Sequence, residues 1–135
     1  MAGPHQVHTA ANAVPPLDDE LAGLLDDLAE EAQHPGIDQI CDGIRHLALD
    51  RHSVEKTQLL AVTLAGSPDG TDVLTAIGQL VARLTNPDSN PALRGLPFDR
   101  QKNTQLHGEN LVRHIADDHD LHQHASNASG AIHTD

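Results

Sequence analysis

The 135-residue chain sets 20 acidic residues against 8 basic ones, a formal net charge of −12, and has one aromatic residue, Phe98. That length suits a single domain with one core. The acidity speaks against a surface that attracts nucleic acid or anionic lipid, and an aliphatic core favours helix-on-helix packing over a β-sandwich.

Met1 to Pro16 is small, polar and proline-punctuated, and is expected to be a disordered arm. From residue 17 to 33, Leu17, Leu21, Leu24, Leu25 and Leu28 recur at helical spacing, with Asp18, Asp19 and Glu20 where a helix N-terminus favours negative charge. His34-Pro35-Gly36 stops that helix. A second helix is predicted over 37–51, on the stripe Ile37, Ile40, Cys41, Ile44 and Leu47. A third spans 54–65, capped by Ser53 and apolar almost all round.

The turn Gly66-Ser67-Pro68-Asp69-Gly70 leads to a fourth helix over 72–85, with Thr71 as its cap and Val73, Leu74, Ile77, Leu80, Val81 and Leu84 as its apolar series. Three prolines make 86–98 a long loop, expected to be pinned by Leu93, Leu96 and Phe98. A fifth helix, over 100–119 and capped by Asp99, has a thinner apolar face. The apolar signal then fades, so 121–135 reads as a disordered histidine-rich tail. The expected fold is therefore all-α: an orthogonal or up-down bundle of four to five short helices over residues 17–120, with disordered termini.

Two features bear on function. The first helix carries seven acidic residues and no basic one. Its leucines Leu17, Leu21, Leu24 and Leu28 suit docking to a protein partner with a basic surface, or to a second copy of the chain. The second feature is histidine, at 11 of 135 residues, with four between His114 and His124. If the fifth helix runs on, His114, Asp118 and His122 fall at i, i+4 and i+8 on one face, where zinc or nickel could be held.

Enzyme chemistry has little footing. Cys41 and His46 are five residues apart on one helix, off a common face. Neither GxxxxGK[ST] nor GxGxxG occurs. A lone cysteine and the lack of a signal-peptide pattern make the cytoplasm the expected location, and no apolar run approaches the roughly 20 residues of a spanning helix. The reading that results is a non-enzymatic regulatory or adaptor protein. Divalent-metal binding by the C-terminal cluster is the alternative.

Overall fold

The structure, a computed structural model, describes residues 13–132. Most of the arm expected over 1–16 and the last three residues of the expected tail lie outside the described residues. Among the described residues the regular structure is helical throughout: α1 (Asp19–Ala32), α2 (Pro35–Leu49), α3 (Val54–Ala61), a π-helical turn (Val62–Gly66), α4 (Val73–Leu84), a 3-10 turn (Pro91–Gly95), α5 (Phe98–Asp117) and α6 (His119–Ala131). Six α-helices exceed the four to five expected. None of them is long and apolar enough to cross a membrane. The helices group into two compact units, Met1–Arg51 and His52–Asp135, where length alone suggested one domain.

In the first unit α1 and α2 form a helical pair. Asp18 caps α1 by accepting from the Leu21 N–H, and Gln33 ends it in the left-handed region at φ 49°, donating its own N–H to Ala29. His34, predicted only as part of a stop, also starts the next helix. Its Nδ1 accepts from the Gly36 N–H at 2.8 Å, with Pro35 in the first turn, where a missing N–H costs nothing. Between the two helices the Cys41 thiol donates to the Leu25 carbonyl at 3.7 Å, and Arg45 bridges Asp26 and Asp42.

Leu25 and Cys41 are the fully buried apolar side chains among the described residues. A two-helix unit has too much surface for its volume to bury more.

In the second unit the π-helical turn is the hub, touching α3, α4 and α6, while α4 lies along α5. The α4–α5 seam is made of small residues. Gly108 sits against Ala82 and Thr85, and Gly78 against Val112 and Ile115. Because α4 uses this seam, its apolar series is divided: Leu74 and Val81 are half-buried, whereas Val73, Ile77, Leu80 and Leu84 are exposed.

The 86–98 loop ties off the end of α4. Ser89 Oγ donates to the Arg83 carbonyl at 2.6 Å and Asn90 Nδ2 to the Leu84 carbonyl at 2.8 Å, serving acceptors that a helix C-terminus leaves open. Phe98 does not pin the loop. It starts α5, is 72% exposed and lies under the Lys102 ammonium at 5.0 Å.

The largest correction falls on the tail, since α6 occupies 119–131, where fading apolar signal had suggested disorder. Asp118 ends α5 and caps α6, its carboxylate accepting from the Leu121 N–H at 3.1 Å. The helix then docks through small residues and polar contacts. Ser129 Oγ donates to the Gln58 carbonyl, Gln58 Nε2 donates back to the Ser129 carbonyl, and the backbone of Ala125 and Ser126 closes on Gly66. An apolar period cannot register a helix held this way.

Candidate functional site

The leucine face of α1 is held by one edge. Leu25, about 100° round the helix from Leu24, is 1% exposed, whereas Leu24 is 55% and Leu28 42% exposed. Leu21 is half-buried in α1, and Leu17, also half-buried, lies just outside the helix as the residue before its cap. On the side of Leu24 away from Leu25 runs a row of exposed carboxylates, Glu20, Asp27 and Glu31, spaced i, i+7 and i+11. None of the three forms an ion pair among the described residues; of the acids on α1, Asp26 alone meets a cation, Arg45.

The C-terminal histidines resolve differently. The metal triad was expected on one continuous helix, but the chain breaks at Asp118 (φ −81°, ψ 79°), leaving His114 on α5 and His122 on α6. Asp118 is spent on its cap, His114 is exposed on α5, and both ring nitrogens of His122 are engaged. Among the described residues no group of three or more His, Cys, Asp or Glu side chains is placed to hold a metal ion.

His122 instead joins four elements. Its Nδ1 lies 2.7 Å from the Ala65 carbonyl oxygen at the end of the π-helical turn, and its Nε2 lies 2.6 Å from the Ile115 carbonyl oxygen in the last turn of α5. Both oxygens can only accept, so both nitrogens must donate, and the ring that satisfies both is the imidazolium. The two carbonyls also belong to helix C-termini, where a positive charge is favoured.

The Asp72 carboxylate lies 3.4 Å from Nδ1, its side chain fully buried. Asp72, not the predicted Thr71, caps α4, accepting from the Thr75 N–H at 2.8 Å and the Ser67 N–H at 3.3 Å. The accepting carbonyls of Ala65 and then Ile115 raise the His122 pKa above its ordinary 6.5; desolvation opposes them, and Asp72 and Asp118 add to the rise. For Asp72, burial is the largest influence and favours the neutral acid. The hydrogen bonds from Thr75 and Ser67, with the charge of His122, outweigh it and hold the carboxyl below its ordinary 3.8.

These directions fix a pH response. Because folding raises the His122 pKa, the folded chain holds that proton more tightly than the unfolded one. Its stabilisation is complete below pH 6.5 and is lost as pH climbs through the raised value. The Asp72 contribution runs the other way: present above 3.8, lost as pH falls through the depressed value. Denaturation midpoints of the wild type should therefore decline from pH 6.5 upward, and His122→Gln should flatten that decline. A wild-type profile that rises over the same range would contradict the imidazolium.

Beside His122 an open cleft of about 410 Å³ is lined by Ser67, Asp69, Thr75, His119, Gln123 and Ser126 among others. The Asp69 carboxylate accepts from Ser67 Oγ and from the Thr71 N–H, which holds its pKa down and occupies it within its own turn. Of the imidazoles at the cleft, His122, the one next to the buried Asp72 carboxylate, has both ring nitrogens engaged. The His122–Asp72 arrangement fastens α4, α5, α6 and the π-helical turn together.

No protein-family model, curated protein or solved structure matches the chain. Fold and site together define a helical protein with a polar fastening at one end of its second unit and open apolar helix faces.

Proposed function

We propose that the chain is a non-enzymatic adaptor that binds other proteins through open helix faces, with Leu17, Leu21, Leu24 and Leu28 as the anchors of the first. The observation that carries this reading is the contrast along α1: α2 covers Leu25, and the centre of the stripe, Leu24 and Leu28, stays open to a further helix. The α4 row Val73, Ile77, Leu80 and Leu84 supplies a second face on the other unit, as an adaptor requires, and a second copy of the chain is its alternative occupant. The acidic balance suits a partner with a basic surface. A lone, buried thiol suits the reducing cytoplasm.

The reading is tested by co-purification of the untagged chain from its native host, followed by mass spectrometry. A partner retained by the wild type is expected to be lost from Leu24→Asp/Leu28→Asp while circular dichroism stays helical, because two charges would then lie in an apolar contact.

A further inference from the structure

We propose that the α1 face receives a cationic amphipathic helix, seated with its apolar stripe on Leu24 and Leu28 and its lysine or arginine flank against Glu20, Asp27 and Glu31. This rests on the reading of the leucine face as a protein-docking surface and adds the chemistry of what docks there. Three observations select the occupant.

Leu24 and Leu28, one turn apart on α1, form an open strip. It is bounded on one side by Leu25, which α2 covers, and on the other by the carboxylate row. A second helix laid along it presents apolar residues at i, i+3, i+4 and i+7 to the leucines. The carboxylates stand at i, i+7 and i+11 along that free edge without counter-ions among the described residues, so the incoming helix needs cations on one flank only. The same row disfavours the α1 face of a second copy, which would bring like charges together.

The test is fluorescence anisotropy of the full chain with a labelled synthetic helix of leucine and lysine, and with its leucine–glutamate counterpart. The wild type is expected to bind the lysine helix, more weakly as salt is raised, and not the glutamate helix. Glu20→Lys/Asp27→Lys/Glu31→Lys should lose at least about tenfold in affinity for the lysine helix and gain the glutamate helix. Asp38→Lys/Asp88→Lys/Glu109→Lys carries the same net charge change elsewhere and should lose less than about threefold. The milder Glu20→Gln/Asp27→Asn/Glu31→Gln gives the same direction if the reversed chain fails to fold.

No binding by the wild type, or equal losses in the two lysine triples, overturns the proposal, the second case by reducing it to diffuse attraction. Loss in Leu24→Asp/Leu28→Asp with no loss in the carboxylate variants also overturns it, while leaving the docking face in place. Unchanged binding in the leucine variant removes the docking face as well.

Discussion

Asp72→Ala is expected to lower the stability of the second unit by about 3 kcal/mol, of which about 1 is the lost cap of α4 and the rest the lost hydrogen bonds of a buried charge. The carboxylate is the one group that touches the Ser67 and Thr75 amides and the His122 ring together. Its removal leaves the imidazolium with two carbonyls and no buried counter-charge. Asp72→Asn separates the parts: the amide oxygen still caps Thr75, so helix α4 is kept, while the charge that helps hold the His122 proton is gone. In the asparagine variant the decline of stability should therefore be smaller and be complete at lower pH than in the wild type. Urea unfolding across pH measures both effects, and an alanine variant as stable as the wild type would remove Asp72 from the account.

Gly108→Ala has the second large effect, a loss of about 1–3 kcal/mol. A β-carbon there would stand 2.0 Å from Thr85 Oγ1 and 3.1 Å from the Ala82 Cα. Thr85 cannot simply turn aside, because its hydroxyl donates to the Val81 carbonyl at 2.8 Å, and the Ala82 contact is backbone. The gain of up to about 1 kcal/mol from replacing a helical glycine is smaller than this clash. Gly78→Ala should be milder, since the atom in its way is the mobile end of Ile115 at 2.6 Å. Gly23→Ala, with nothing within 4 Å, should stabilise α1. Thermal unfolding of the three variants tests the order, and a Gly108 variant no worse than Gly78 would contradict the small-residue seam.

The parts of the fold visible in the amino-acid order are those driven by apolar periodicity. Helices α1 to α4 and the Ser53 cap follow the leucine and isoleucine spacing and a standard capping residue. The acidic leucine face of α1 was visible for the same reason.

What escaped is held by other forces. The α4–α5 seam runs through Gly78 and Gly108, which carry no hydropathy signal, so the spacing of the larger apolar residues of α4 does not reveal that Val73, Ile77, Leu80 and Leu84 stay exposed. Helix α6 docks by serine, alanine and glutamine contacts. Asp118 did advertise it: an aspartate followed by His119 and Asp120 is a capping pattern. That cue, given weight, would have broken the helix assumed to align His114, Asp118 and His122. Asp72, directly before Val73, is the same kind of signal. The pairing of His122 with carbonyls 57 and 7 residues away has no trace in local sequence, because it depends on where two helix ends meet in space.

Whether α1 is a docking face is decided by quantitative mass spectrometry of proteins co-purifying with the full chain from its host, run in parallel on the wild type, Leu24→Asp/Leu28→Asp, and Gly23→Asp/Gly43→Asp as an exposed-helix control. A defined partner is expected with the wild type and the control, and is expected to be lost from the leucine variant while all three remain equally helical. A partner retained by the leucine variant, or the absence of any partner that separates it from the control, would contradict an adaptor that works through the α1 face.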